Sequence, residues 1–188
     1  MKTLVDMDYG PLVDLIGTWE GDKGKDVAPE PDGEEVNPYY ETIVFKDGGS
    51  VTNGEEQDLA LVHYEQLVQR KGDNKVIHHE IGYWMYDPTT QVIMHSLAIP
   101  RGLCLLAGGN FSNEKDENGN WVLDVSASVD DPKWGIVQSP FLTQKARTLS
   151  FKHKILLTNN KLSYAETTVV DIYGRVFEHT DANELTRV

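Results

Sequence analysis

The stretch Leu15-Ile-Gly-Thr-Trp-Glu-Gly-Asp-Lys-Gly24 decides the fold of this chain. It predicts a strand that begins at a tight turn and carries one large ring, Trp19, between two glycines, where the backbone can bend and other backbone can approach closely. The chain ends in Leu185-Thr-Arg-Val188, which predicts another strand carrying one cation. We expect these two strands to pair and to close a barrel, with Arg187 stacked on Trp19, a contact worth roughly 0.5–2 kcal/mol. The alternative is an ordinary core tryptophan with no arginine over it.

Between these ends, apolar and polar residues alternate with a period of two, and turn residues interrupt the pattern. The clearest alternations, at 121–130 and 147–157, each place an apolar stripe on one face. Further strands are predicted at 39–46, 59–70, 76–86, 91–99, 103–111, 161–173 and 175–188. Together with one short helix at Pro11, these strands predict an all-β fold. We expect a closed antiparallel up-and-down barrel of about ten strands, of the lipocalin and fatty-acid-binding-protein type, as one domain over residues 1–188.

Three features depart from the strand pattern. Residues 22–37 are rich in Gly, Pro, Asp and Glu, which predicts a loop at the barrel mouth that is more mobile than the strands. Residues 131–146 form a long link that carries Trp134 and Phe141, and we expect it to pack over a barrel end. Cys104 lies in an apolar run and is predicted to be buried rather than reactive.

Composition limits the classes of partner. With 39% apolar and 25% charged residues, the chain has the composition of a soluble globular protein. Its net charge of −13 disfavours nucleic acid and anionic membrane surfaces. No apolar run approaches the ~18 residues of a membrane helix, and the N-terminus lacks the apolar core of a signal peptide. We therefore expect a cytoplasmic protein, and the sequence leaves a homodimer open.

Strand parity selects the candidate ligand-binding side chains. On the last strand His179 shares its face with Phe177 and Leu185, so it is predicted to point inward. His153 interrupts the apolar stripe at 147–157. In the pair at 78–79, the predicted inward residue is His79, together with Tyr83. The predicted ligand-binding set is therefore His179, His79, His153, Tyr83 and Phe177. The alternative for His179 is a structural hydrogen-bond network at the barrel end.

Three motifs carry a resemblance to a known family. They are Gly17-Thr-Trp-Glu-Gly21, His79-Glu-Ile-Gly-Tyr-Trp84, and the terminal His179 followed three residues later by Ala182. Over residues 11–188 the chain resembles the nitrobindin-like family of calycin barrels. The resemblance implies a ten-stranded barrel that binds ferric heme b through His179. It also implies chemistry on nitric oxide or peroxynitrite, including isomerisation of peroxynitrite to nitrate.

The sequence is compatible with three functions. The first is the heme-binding barrel, in which Lys23, Lys25 and Arg101 are candidate partners of the propionates. The second is a carrier or sensor of another small apolar molecule, such as a fatty acid. The third is an enzyme that acts on a small pocket-bound substrate, with a histidine and a carboxylate such as Glu80 or Glu166 as acid and base. No zinc-binding spacing and no nucleophile or phosphate-binding motif is present in the sequence.

Overall fold

A computed structural model describes residues 7–188. The predicted short helix is a 3₁₀ helix, Gly10–Asp14, and one α-helix, α1, spans Pro140–Lys145. The strands are β1 Gly17–Glu30, β2 Gly33–Asn53, β3 Gln57–Arg70, β4 Val76–Asp87, β5 Val92–Ile99, β6 Leu103–Asn110, β7 Trp121–Ser128, β8 Ile136–Gln138, β9 Ala146–Leu157, β10 Lys161–Ile172 and β11 Arg175–Arg187. Neither helix in this part of the chain is long and apolar enough to cross a membrane.

Ten of the strands between residues 7 and 188 form a closed antiparallel barrel. Neighbours pair in the order β1-β2-β3-β4-β5-β6-β7-β9-β10-β11, and β11 pairs with β1 to complete the ring. The short strand β8 lies outside the ring and pairs with β6. The predicted all-β barrel of about ten strands is therefore confirmed.

The ring closes at Trp19, as the sequence predicts. Trp19 lies opposite Arg187 in the β1–β11 register, and the guanidinium lies 4.5 Å from the centre of the indole ring. Trp19 is fully buried, and its Nε1 donates a hydrogen bond to the Leu15 carbonyl (2.7 Å). Arg187 donates hydrogen bonds to the carbonyls of Asp14 (2.6 Å) and Ile16. These contacts fasten the last strand to the start of the first.

The apolar core fills the end of the barrel that contains Trp19. Large side chains with 2% exposure or less include Trp84, Tyr86, Ile93, Leu123, Leu157 and Leu185. The 3₁₀ helix covers this end, because Leu12 and the following Leu15 are fully buried in the same cluster. More polar side chains lie toward the opposite end of the barrel.

Residues 22–37 form a hairpin, so the predicted loop is wrong. β1 and β2 pair along this segment down to a two-residue turn, with a bulge near Gly24 that shifts the register. Gly24 is required there because a Cβ would lie 1.9 Å from the Tyr39 ring. The strand signal is hidden because inward positions, such as Asp26 and Asn37, are polar as well as the outward ones.

The 131–146 link contains β8 and α1. Trp134 packs on a glycine of β6 at which a Cβ would lie 2.4 Å from the indole ring, and Ile136 packs against the core. Phe141 is 69% exposed, so it does not pack over the barrel end. Its neighbour Leu142 lines the internal cavity instead.

Cys104 is exposed, so its predicted burial is wrong. On β6, Leu105 and Ala107 point inward, whereas Cys104 lies on the outer face and pairs with Val137 of β8. The run appears uniformly apolar because both faces of this strand carry apolar side chains.

Candidate functional site

A cavity of about 440 Å³ lies toward the end of the barrel away from Trp19. Apolar side chains from β5, β6, α1, β9 and β10 line one side: Leu97, Ile99, Leu103, Leu105, Leu142, Phe151, Val170 and Ile172. Polar side chains from β1, β2, β11 and the middle of β10 line the other: Asp26, Asn37, His179, Asp181, Glu166 and Thr168. Because β1 and β11 lie across the ring from β5 and β6, the two kinds of wall face each other.

Five polar side chains form one row on the inner face of the sheet. The strand register pairs Asn37 with Asp26, Asp26 with Asp181, Asp181 with Glu166, and Glu166 with His153. We call this set the polar row. It places three carboxyl groups in adjacent positions, and like charges directly opposite each other in a sheet are destabilising. The row is therefore stabilised by hydrogen-bond donors, by a cation or by protonation of an acid. Burial and the neighbouring acids raise the pKa of Glu166 well above its usual value, which favours its protonated form.

His179 joins the first two acids of the polar row. It lies on the same face of β11 as Asp181, two residues away. Its Nε2 lies 2.6 Å from Asp26 Oδ1 and 3.4 Å from Asp181 Oδ2. Since a carboxylate accepts, His179 Nε2 carries the proton in this contact. Asn37 Nδ2 donates to the other oxygen of Asp26, Oδ2, at 3.1 Å. We call Asp26, His179 and Asp181 the Asp–His–Asp cluster.

Burial and charge set the protonation of this cluster. Burial lowers the pKa of His179, but the hydrogen bond to Asp26 and the charges of both acids outweigh it and raise that pKa. Burial raises the pKa of Asp181 to about 6; the charge of His179 opposes this rise and that of Asp26 adds to it. A cation that enters the cluster therefore competes with the proton on the imidazole.

A second polar chain runs from the cavity wall into the core. His78 lines the cavity, and its Nε2 lies 3.3 Å from Glu80 Oε2. Tyr64 donates its hydroxyl proton to Glu80 Oε1, so His95 Nε2, 2.7 Å from the Tyr64 oxygen, is the donor in that pair. Burial and the neighbouring His153 lower the pKa of His95 to about 3. His95 is therefore a neutral core residue.

Glu41 is the centre of a third polar group. It is 2% exposed and accepts hydrogen bonds from Gln66 Nε2 (2.6 Å), Asn183 Nδ2 (2.7 Å) and Tyr164 OH (3.0 Å). Burial raises the pKa of Glu41 to about 7, although the three donors lower it. Gln66 and Tyr164 also line the cavity, so this group borders it.

Two predicted site residues lie on the outside of the barrel. The His79 side chain is 42% exposed and its Nε2 lies 2.9 Å from a surface glutamate, while Tyr83 is 44% exposed. The inward residues of β4 are instead His78 and Glu80. The parity assignment is wrong because Ile81 and Tyr83 are apolar residues of the outer face.

Of the predicted ligand-binding set, His179 alone lines the cavity in the described residues. His153 is buried in the core and makes no hydrogen bond. Its Nδ1 lies 3.2 Å from Glu166 Oε2, outside hydrogen-bonding geometry. Phe177 is half-buried under the guanidinium of Arg175, 5.3 Å from the ring centre.

The sequence did not reveal the importance of Asp26, Asn37, His78 or Glu41. The first two fall in the segment that the sequence predicts to be a loop, and strand parity puts His78 on the outer face. Glu41 shares its face with Tyr39, Ile43 and Phe45, so period-two parity extended along β2 would have placed it inside.

Comparisons with known proteins agree with this architecture. Residues 8–187 match a family model described as the THAP4-like, heme-binding beta-barrel domain. The crystal structure of Rv2717c from M. tuberculosis is similar, with a TM-score of 0.64 and 22% sequence identity over 94% of each chain. At this identity the likeness concerns the fold. No curated protein matches the sequence significantly.

The walls of the cavity suit heme, but the candidate iron ligand does not. The apolar wall suits a porphyrin, and Arg70 and Arg101 line the same cavity, where propionates would need cations. His179 Nε2, the nitrogen that would reach iron, lies instead between Asp26 and Asp181. A metal-ligating histidine presents an unprotonated nitrogen to the metal and donates its other N–H to a carboxylate. In this arrangement Nε2 does not fit an axial heme ligand, because a porphyrin iron would have to displace both the proton and the two carboxylates from it.

Proposed function

Since the chain belongs to the THAP4-like heme-binding β-barrel family, a fold with a small-ligand cavity, we propose that this barrel holds one small amphipathic molecule with a cationic or hydrogen-bond-donating end. The observation that carries the proposal is the division of the cavity into an apolar wall and the Asp–His–Asp cluster opposite it. The apolar body of the ligand packs against β5, β6 and β9. Its polar end lies at Asp26 and Asp181.

The acids of the polar row determine which charge the cavity prefers at the polar end of the ligand. A cationic group 4 Å from one carboxylate gains about 4 kcal/mol at an effective dielectric constant of about 20, before desolvation is subtracted. A carboxylate placed there is repelled by Asp26 and Asp181. After desolvation we expect at least a tenfold preference for the cation, which corresponds to about 1.4 kcal/mol.

Calorimetric titration with dodecylamine and with dodecanoate tests this preference, because the two probes share one chain and differ in head-group charge. The titrations use chelator-treated full-length protein at about neutral pH. Wild type should bind dodecylamine at least about tenfold more tightly. Asp181→Asn should reduce that preference, whereas Glu184→Gln should not, because Glu184 faces outward on the same strand and pairs with Lys23 (3.0 Å). Equal affinities, tighter dodecanoate binding or no binding of either probe would overturn the proposal, and tighter dodecanoate binding would favour a fatty-acid carrier.

Heme b is the second candidate ligand, favoured by Arg70 and Arg101 in the cavity wall and by the family. When bound, ferric heme supplies the chemistry on nitric oxide and peroxynitrite that the nitrobindin resemblance implies. Hemin titration of wild type and His179→Ala separates the candidates. The arrangement of the cluster predicts indistinguishable Soret spectra for the two proteins. A Soret band that is lost in the variant would establish His179 as the axial ligand and would favour heme.

A further inference from the structure

The structure assigns a divalent metal ion to the Asp–His–Asp cluster, with Asp26, His179 and Asp181 as its protein ligands. This inference goes beyond the proposed function, because the ion and the cationic end of an amphipathic ligand would compete for the same carboxylates. In residues 7–188, one nitrogen and two carboxylate oxygens of these side chains all lie within 4.8 Å of one another. They belong to two paired strands whose register holds them together.

The distances suit a first coordination sphere. Zinc–nitrogen and zinc–oxygen bonds of about 2.0–2.2 Å place neighbouring ligand atoms about 3.0–3.6 Å apart in octahedral or tetrahedral geometry. His179 Nε2 lies 2.6 Å from Asp26 Oδ1 and 3.4 Å from Asp181 Oδ2. Movements of a few tenths of an ångström therefore make room for an ion that replaces the imidazole proton.

The surroundings of the cluster support the ligand atoms. Asn37 Nδ2 donates to Asp26 Oδ2 at 3.1 Å, so one oxygen of Asp26 is held while Oδ1 points at the cluster. Such outer hydrogen bonds orient metal-ligating carboxylates. Asp181 and His179 are on the cavity wall, so the coordination positions that the protein does not fill face the cavity.

The polar row gives a second, independent reason for a cation. Asp26 and Asp181 are direct cross-strand partners, and two like charges in these positions are unfavourable without a positive charge between them. His179 contacts both acids, at 2.6 Å from Asp26 Oδ1 and 3.4 Å from Asp181 Oδ2. A divalent ion at the cluster supplies more charge to the row than one imidazole proton.

The donor set selects the kind of metal. Two carboxylates and one imidazole are hard-to-borderline ligands, without the thiolates that soft ions prefer. The imidazole favours Zn²⁺, and the two carboxylates also suit Mn²⁺, whereas Mg²⁺ prefers oxygen ligands alone and retains its water. Three protein ligands with open positions are also typical of metal sites that bind a further molecule.

Calorimetric titration of the chelator-treated full chain with Zn²⁺, Mn²⁺ and Mg²⁺ tests the assignment. We expect one Zn²⁺ or Mn²⁺ per chain and binding of Mg²⁺ that is weaker by at least about tenfold. The near-isosteric changes Asp26→Asn and Asp181→Asn should each weaken Mn²⁺ binding by at least about tenfold, and Mn²⁺ electron paramagnetic resonance should show the bound signal only in wild type and in Glu184→Gln. Circular dichroism checks that each variant is folded.

Binding without 1:1 stoichiometry, or affinity that is unchanged in both Asp variants, would overturn the metal site. The outcome is separable from that of the proposed function. Metal binding that fails while the preference for dodecylamine survives overturns only the metal assignment. Metal binding that depends on Asp181 without any amphiphile binding overturns only the amphiphile proposal. If both hold, Mn²⁺ should displace dodecylamine from wild type.

Discussion

Replacing Arg187 with alanine should destabilise the barrel by about 3 kcal/mol. The guanidinium donates to the carbonyls of Asp14 (2.6 Å), Ile16 and Asn159 (2.9 Å), and it lies 4.5 Å from the Trp19 ring centre. A hydrogen bond from a charged donor is worth roughly 1.5–3 kcal/mol when fully buried. Because Arg187 is only half-buried and the released carbonyls can reach water, we count the three bonds at about 2 kcal/mol together. The cation–π contact adds about 1 kcal/mol.

Equilibrium urea unfolding followed by circular dichroism measures this loss. With an m-value of about 2.5 kcal/mol per molar urea, the midpoint should fall by about 1.2 M. Arg187→Lys should recover only about one third of the loss, because a single ammonium cannot reproduce the planar fork of donors.

The matched control is Arg175→Ala. Arg175 is also on β11, lies over the ring of Phe177 and donates to the Glu30 carbonyl (3.1 Å), but it is exposed. That change should cost under about 1 kcal/mol. Equal midpoints for the two alanine variants would refute the role of Arg187 in closing the barrel.

Three further predictions concern buried ionisable groups and close packing. Folding raises the pKa of Glu41 from 4.5 to about 7, so this group lowers the stability of the protein as the pH rises between those values. Glu41→Gln should remove that contribution, and a pH slope of the unfolding free energy that is the same in wild type and variant between about pH 5 and 7 would contradict it. Burial lowers the pKa of His153 from 6.5 to about 4, so this group lowers the stability of the protein as the pH falls through that range. The stability of His153→Phe relative to wild type should therefore increase as the pH is lowered, and a difference in unfolding free energy that does not change with pH would count against this. Gly82→Ala should cost about 2–3 kcal/mol, because its Cβ would lie 1.9 Å from the Ser96 carbonyl oxygen. Gly33→Ala, with nothing within 4 Å, should change stability by under about 1 kcal/mol, and equal melting temperatures for the two glycine variants would argue against the packing.

The barrel and its closure can be predicted from local signals. Turn residues between period-two segments identify most of the strands, because a strand with one buried face must alternate. The ring of Trp19 between two glycines and the cation of Arg187 at the other end of the chain predict the contact that joins the ends. Both signals depend on residue type and spacing, which the sequence states directly.

The face of a strand is harder to predict where both faces are apolar or both are polar. On β4 the outward Ile81 and Tyr83 made His79 appear to point inward, although the inward residue is His78. In the hairpin at 22–37 the inward positions line the polar wall of the cavity, so the alternation that would mark a strand is missing. In both places the strand that departs from simple alternation of apolar and polar residues contributes to the wall of the cavity.

The polar row could not be predicted from the sequence at all. Its five members come from five strands, and each pairing depends on the register of a separate strand pair. The bulge next to Gly24 shifts the β1 register, and a shift of one residue would move Asp26 to the outer face. Period-two parity predicts that His179 and Asp181 face inward, but only the register places Asp26 beside them.

The assignment of His179 to the Asp–His–Asp cluster requires that Asp26 holds its Nε2, so that this nitrogen is not presented to iron. Long-range ¹H–¹⁵N spectra of the metal-free protein, recorded through the titration of His179, report which ring nitrogen keeps the proton. We predict a pKa above the usual 6.5, a proton that remains on Nε2 when the ring becomes neutral, and a lower pKa in Asp26→Asn. A neutral ring that is protonated on Nδ1 and leaves Nε2 free, with a pKa that does not respond to Asp26→Asn, would contradict the account.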